Sequence, residues 1–232
     1  MKTILKIIGV VVIVLALGGI INAVKDKNPN PKASTNDSVQ TQQSASSEPT
    51  KKDLVLRDVK YGNDKRNTMN LLIPKGSTDK TPFLLFMHGG AWVSGDKNDV
   101  AIVQLALGQA GIASASINYR YASDTVHYSG LMSDVNTAVN YIADHGKDWN
   151  VNTDKIAIGG ISAGAHMALL YGYHYDSGNH ISSIISLAGP TDLTNVDFLN
   201  GATLLKLIDG ANKLVGAKYE FGKPVPSQFK TA

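Results

Sequence analysis

The sequence predicts an α/β domain, a mostly parallel sheet with helices on both faces, and three observations carry that expectation. Between residues 54 and 187, short apolar or β-branched runs alternate with ten- to fifteen-residue segments whose apolar residues recur at helical spacing, the pattern of successive strand–helix–strand units. At 155–170 one such run, Lys155-Ile156-Ala157-Ile158, meets Gly159-Gly160 and a serine before an apolar helical stretch, so the chain passes from strand through a sharp turn into helix. At 81–92 another run, Phe83-Leu84-Leu85-Phe86-Met87, ends on His88-Gly89-Gly90.

In chain order, 54–61 and 67–73 read as two strands around a polar turn centred on Gly62-Asn63-Asp64. Residues 83–87 are the third strand. A helix over 99–110 stops at Gly111, and 112–117 is a buried strand of small residues. A second amphipathic helix covers 131–143, a strand over 156–158 leads to Ser162, and the helix after it runs from 162 to about 173. The next strand, 181–187, ends at Ala188-Gly189-Pro190, and a helical, cap-like segment spans about 197–216. No internal repeat is present.

The N-terminal quarter has a different character. Two lysines in the first six residues precede a mostly apolar stretch at 7–24, near the lower limit for spanning ~30 Å of hydrocarbon. A small-x-small cleavage site is poorly matched, because Ile21 stands three residues before the best candidate cut in Ile21-Asn22-Ala23. Residues 1–24 are therefore expected to be an uncleaved signal-anchor holding the domain outside the cell membrane, with a cleaved signal peptide and secretion as the alternative. Residues 25–52, rich in Asn, Pro, Ser, Thr, Gln and Lys, read as a disordered linker because they cannot bury enough apolar surface to offset their ordering entropy. That leaves 53–232 as one folded domain.

Charge and composition narrow the function classes. The chain carries a formal +3, but residues 1–52 hold seven lysines against three acids, which leaves fifteen basic and sixteen acidic residues in the rest. A nearly neutral domain without a basic stripe is a poor partner for nucleic acid. The sequence has no cysteine, which removes disulfides and thiolate zinc sites, and no His/Asp/Glu cluster has metal-ligand spacing, so no metal or cofactor is expected.

Gly160, Ser162 and Gly164 fit G-x-S-x-G, and the strand before and helix after are the context of a nucleophile elbow, in which glycines let neighbouring backbone pass close to a serine held in a strained conformation. A His-Gly-Gly turn after an upstream strand matches the oxyanion loop of lipases and esterases. With these two motifs in this order, and with Tyr119-Arg120 and Asp134-Val135 between them, residues 54–194 resemble the α/β-hydrolase superfamily, within it the esterase/lipase branch that includes hormone-sensitive lipase, kynurenine formamidase, and the feruloyl and acetyl-xylan esterases. The resemblance implies an α/β-hydrolase fold and a serine hydrolase cleaving short acyl, acetyl or feruloyl esters through an acyl-enzyme. The substrate would be a small ester or acylated polysaccharide.

In that reading Ser162 is the nucleophile, Ala163 offers a backbone N–H to the developing oxyanion, and Gly89 and Gly90 supply the other donors. His88 is expected to brace the loop, and Trp92 to pack beneath it or line an acyl pocket. His166 lies one helical turn after the serine and is expected to pack rather than act as base. The superfamily's triad order is Ser, then Asp or Glu, then His. The resemblance places the acid eighty to a hundred residues after Ser162 and the histidine about thirty further on, beyond the seventy residues that follow the serine here. Asp192 reads as a loop position, and Asp197 and Asp209 fall in the cap-like segment. The tail 222–232 resembles the approach to the strand bearing the acid. The expectation is a C-terminally incomplete hydrolase domain with the nucleophile but without its acid and base, and hence of little turnover. The alternatives are a prolyl-oligopeptidase-type peptidase, or a hydrolase fold kept as a binding module, for which an intact elbow serine would serve no purpose.

Overall fold

The computed structural model describes residues 49–232. The anchor expected over 1–24 and residues 25–48 of the linker expected over 25–52 lie outside the described residues; of the rest of that stretch, Thr50 bonds the domain, its N–H donating to the Ser77 carbonyl (3.0 Å) and its hydroxyl to that of Pro74 (2.9 Å). Among the described residues no helix is long and apolar enough to cross a membrane. Six strands form one sheet in the order β1-β2-β4-β3-β5-β6. They are β1 Leu54–Lys60, β2 Thr68–Ile73, β3 Phe83–Met87, β4 Ala113–Ile117, β5 Ile156–Ile161 and β6 Ile181–Leu187. β1 and β2 are antiparallel to each other, β2 is antiparallel to β4, and β4, β3, β5 and β6 run parallel. The parallel strands are linked by α1 (Ala101–Gln109), α2 (Tyr128–His145) and α3 (Ala163–Leu170); α4 (Val196–Leu204) and α5 (Ile208–Val215) follow β6.

Helices cover both faces of the sheet, as the side-chain alternation of β3 shows. Phe83, Leu85 and Met87 join one core with Leu131, Val135 and Ile142 of α2 and Met167 of α3. Leu84 and Phe86 join Val100, Val103 and Leu107 at α1 on the other face. All five residues of β3 are buried, which is why it reads as a continuous apolar run. β4 is equally buried but built of Ala113-Ser114-Ala115-Ser116-Ile117, narrow enough to let a helix lie close.

The closeness of α1 to β4 reverses the expected face of the helix. Its buried side chain is Gln104, whose amide donates to the carbonyls of Asn70 (3.0 Å) and Ser114 (3.4 Å) and accepts from Ser116 Oγ (2.8 Å). Ile102 and Leu105 point outward at 46% and 51% exposure. Gln104 is the long amide that satisfies the buried hydroxyl of Ser116, while Ser114 Oγ has no hydrogen-bond partner among the described residues.

Two other elements depart from expectation. α2 begins at Tyr128, three residues before its predicted start, and Asp134 sits in its second turn. There the carboxylate accepts from Arg120 Nε and Nη2 at 2.8–3.0 Å and from the Arg120 backbone N–H at 2.8 Å, while Nη2 also donates to the Gly130 carbonyl at 2.9 Å. The cap-like segment is two helices, broken at Lys206, which is left-handed at φ 59°; the Leu207 N–H closes the first of them on the Ala202 carbonyl at 2.7 Å.

Candidate active site

The site is built at the C-terminal ends of β3 and β5, which run side by side with Met87 opposite Gly160. Ser162 follows β5 directly, with φ 54° and ψ −117°, a backbone conformation that L-residues rarely adopt. The turn is held by glycines that leave no room for a side chain. A Cβ on Gly160 would lie 2.4 Å from the Gly164 carbonyl carbon, and one on Gly164 would lie 2.4 Å from the Met87 carbonyl oxygen and 2.5 Å from that of His88. The G-x-S-x-G spacing is thus a packing requirement: the elbow helix presses on the end of β3. The Ser162 N–H donates to the Leu187 carbonyl at the end of β6 (2.8 Å), and the Ser162 carbonyl accepts from the His166 N–H (3.0 Å). Its hydroxyl is half-buried and makes no hydrogen bond among the described residues.

Residues 88–95 form the neighbouring loop. A Cβ on Gly89 would stand 3.3 Å from Ser162 Cβ, so this backbone borders the serine directly. Gly90 (φ 116°), Ala91 (φ 49°) and Trp92 (φ 63°) are all left-handed, and the Val93 and Ser94 N–H groups and the Ser94 hydroxyl converge on the Gly90 carbonyl. The N–H groups of Gly89 and Gly90 have no partner among the described residues. That of Ala163, at the first position of α3, has no intrahelical acceptor. Three unpaired backbone donors therefore flank the serine, contributed by the positions singled out in the sequence.

His88 is fully buried beneath the loop. Its Nδ1–H donates to the Gly89 carbonyl (2.6 Å), its ring stacks on Tyr119 with centroids 4.3 Å apart, and the Tyr119 hydroxyl donates to its carbonyl (2.9 Å). Burial holds its imidazole below the ordinary value, hence neutral at physiological pH. Arg66 was not singled out by the sequence, yet it reaches from the β1–β2 turn to the carbonyls of Tyr119 (2.7 Å) and Gly95 (3.1 Å), over the Tyr121 ring (3.7 Å), while Tyr121 donates to the same Gly95 carbonyl. No local pattern around Arg66 marks it, because the partners lie 29 and 53 residues away.

Of the remaining candidates, none bonds Ser162 through its side chain. His166 is buried at 6% exposure, edge-on to Trp92 with centroids 5.3 Å apart, and burial pushes it down to about 4 despite the Ala232 carbonyl against it. His174 lies in the turn Tyr171–Tyr175 that ends the elbow helix, and His180 precedes β6, both at the opposite end of those elements from the serine. Asp192 is fully exposed and accepts from Thr194. Asp197 and Asp209 lie in the first turns of α4 and α5. α5 nonetheless touches the site: a Cβ on Gly210 would fall 2.0 Å from the Ala91 carbonyl oxygen. Among the described residues no cluster of His, Asp or Glu could hold a metal ion.

A serine at a strained strand-to-helix turn, glycine backbone against it and a mostly parallel sheet beneath define an α/β-hydrolase-like fold of esterase type. The chain belongs to the BD-FAE family, whose model matches residues 69–223. Among curated proteins it is similar to a probable isoprenylcysteine α-carbonyl methylesterase of Oryza sativa subsp. japonica, 31% identical over 163 residues, 68% of this chain and 37% of that one. It is also similar to esterase LipI of Mycobacterium tuberculosis, 33% identical over 91 residues, 38% of this chain and 28% of that one. Esterase B of Lactobacillus rhamnosis shares the fold at TM-score 0.59 and 16% identity, over 93% of this chain and 67% of that one. A bifunctional GH43-CE protein of Bacteroides eggerthii does so at TM-score 0.60 and 18% identity, over 70% of this chain and 24% of that one. The chain spans between 24% and 43% of the length of the first six curated relatives.

Proposed function

We propose that this protein is a serine carboxylesterase that removes small acyl groups, acetyl or feruloyl, from hydroxyl-rich alcohols such as acylated glycans. The observation that carries the reading is the strained Ser162 with a free hydroxyl, flanked by the unpaired N–H groups of Ala163, Gly89 and Gly90. The hydroxyl attacks the acyl carbon, and the oxygen that becomes negative is met by backbone donors already in place, one such donor being worth about 3 kcal/mol of transition-state stabilisation. The glycan as alcohol is favoured by the fold shared with a carbohydrate esterase from gut microbiota, at TM-score 0.54.

The carboxylate and imidazole that activate the serine are supplied, in this proposal, by polypeptide lying along the outer edge of β6, a strand with Ile185 and Leu187 exposed and its far side unpaired among the described residues. The apolar segment 7–24 would tether the enzyme to the outer face of the cell membrane. The test is pre-steady-state hydrolysis of p-nitrophenyl acetate by the protein as expressed from its gene, beside Ser162→Ala. The expected result is a stoichiometric burst that Ser162→Ala abolishes. Equal hydrolysis by both proteins refutes the reading.

A further inference from the structure

The Gly89 and Gly90 N–H groups beside Ser162 belong to two peptide groups, and each of these is held from behind. A trans peptide is planar, with its C=O and N–H pointing opposite ways, so a carbonyl fixed on one side aims the N–H on the other. The Gly89 N–H shares its peptide with the His88 carbonyl, which accepts from the Tyr119 hydroxyl at 2.9 Å. The Gly90 N–H shares its peptide with the Gly89 carbonyl, which accepts from His88 Nδ1–H at 2.6 Å. That carbonyl also lies against Gly95, where a Cβ would fall 2.4 Å from its oxygen. Tyr119 and Gly95 are thus the backing of the two donors.

Arg66 bonds both of them. Its Nε–H donates to the Tyr119 carbonyl (2.7 Å) and Nη2 to the Gly95 carbonyl (3.1 Å). The planar guanidinium, which holds its N–H groups at fixed angles, lies 3.7 Å over the Tyr121 ring, and the Tyr121 hydroxyl gives the Gly95 carbonyl a second donor. The side chain starts from a turn that is itself bonded: the Arg66 N–H donates to Asp64 Oδ1 (2.8 Å) and the Asp64 N–H to the side-chain carbonyl of buried Asn67 (3.0 Å). Among the described residues Arg66 makes no ion pair, so its charge is given to two carbonyls and a ring. The loop needs such a hold, because Ala91 and Trp92 are left-handed at φ 49° and 63°, conformations that persist only where the surroundings over-determine them. Arg66 precedes β2, and β4 and β3 separate that strand from β5, so it acts on the serine through the loop and not by touching the substrate.

We propose that Arg66 is a positioning residue of the active site, setting through Tyr119 and Gly95 the direction of the Gly89 and Gly90 N–H groups. The proposal rests on the esterase reading for its effect on turnover, whereas the effect on the two amides does not depend on it. The test is burst kinetics with p-nitrophenyl acetate on the protein as expressed from its gene, beside Arg66→Met and Arg66→Lys, with amide resonances of the ¹⁵N-labelled proteins. In Arg66→Met the burst amplitude should stay stoichiometric while the acylation rate falls about tenfold to a hundredfold, as for donors aimed wrongly at the transition state. KM should stay within about twofold, since these donors act on charge that develops only in the transition state. Arg66→Lys should not restore the rate, because one ammonium cannot span both carbonyls in the fork's geometry. The Gly89 and Gly90 amide resonances should move in both variants. Tyr121→Phe, which takes a single hydroxyl from the Gly95 carbonyl, serves if Arg66→Met does not fold, and should slow acylation about fivefold, the worth of one hydrogen bond. An unchanged acylation rate, a lost amplitude at unchanged rate, or full rescue by lysine overturns the proposal. If the parent shows no burst that depends on Ser162, the esterase reading fails, and the amides decide: unmoved Gly89 and Gly90 resonances overturn the positioning role, and moved ones uphold it.

Discussion

Replacing His166 by Asn should flatten the acid limb of the stability curve. His166 is 6% exposed, and burial lowers its folded-state pKa from 6.5 to about 4. The unfolded chain therefore takes up a proton at His166 below pH 6.5 that the folded chain refuses until about pH 4, so stability is lost as the pH falls through that window and no further below it. Integrating the linkage for a single site gives about 2 kcal/mol of loss at pH 5 and a limit of about 3 kcal/mol, at 1.36 kcal/mol per pKa unit. Urea unfolding of the parent and His166→Asn at pH 7, 6 and 5 measures this. The variant will be less stable at every pH, having lost its packing against Trp92, so the informative quantity is the change between pH 7 and 5. That change should be about 2 kcal/mol smaller in the variant, close to 1 M urea in midpoint for an m-value near 2 kcal/mol/M. His88, lowered in the same direction by the same cause, leaves a residual slope in both proteins. Parallel pH profiles would refute the assignment of His166 as a buried neutral imidazole.

Ser162→Gly should stabilise the domain by about 1 kcal/mol while abolishing the acyl-enzyme burst, because glycine adopts φ 54°, ψ −117° without the strain that serine carries there; chemical denaturation reads the gain, and a loss of stability would show that the elbow is not strained. Gly210→Ala should cost about 1–3 kcal/mol, because its methyl group would sit 2.0 Å from the Ala91 carbonyl oxygen, and should lower kcat more than it raises KM by displacing the donor loop from Ser162. Thermal unfolding and ester kinetics test the two halves separately, and an unchanged kcat would show that α5 does not set the position of that loop.

The parts of the fold that were legible in the sequence are those fixed by local physics. The β3 run is buried on both faces and so reads as uniformly apolar, and the elbow glycines are required by contacts of 2.4–2.5 Å within a single strand–turn–helix unit and the strand end beside it. What escaped was decided by distant partners. α1 turns Gln104 inward because Ser116, on a strand twelve residues away, needs a donor or acceptor inside the core. α2 starts early because Arg120 ties Asp134 and Gly130 into one bonded group, and Arg66 reaches Gly95 across 29 residues. The break at Lys206 lies in a Leu-rich segment without glycine or proline, so no turn residue announces it.

The two edges of the sheet are dressed differently, and the difference bears on where Ser162 finds its partners. β1, on one edge, carries Arg57, Asp58 and Lys60 and a register shift between Leu56 and Val59, devices that keep an edge from accepting another strand. β6, on the other, reads Ile-Ser-Ser-Ile-Ile-Ser-Leu, with no charge, no proline and no bulge along its last five residues, and with Ile185 at 41% and Leu187 at 46% exposure. A protected edge needs no neighbour, whereas a flat, uncharged one with open apolar side chains is a template for pairing. β6 is also the strand whose terminal carbonyl, Leu187, receives the Ser162 N–H, so anything that pairs along it arrives beside Ser162. The asymmetry of the edges, read with the unbonded serine, is why the proposed mechanism draws its activating carboxylate and imidazole from the β6 side; beneath the loop, His88 is already committed to Gly89 and Tyr119.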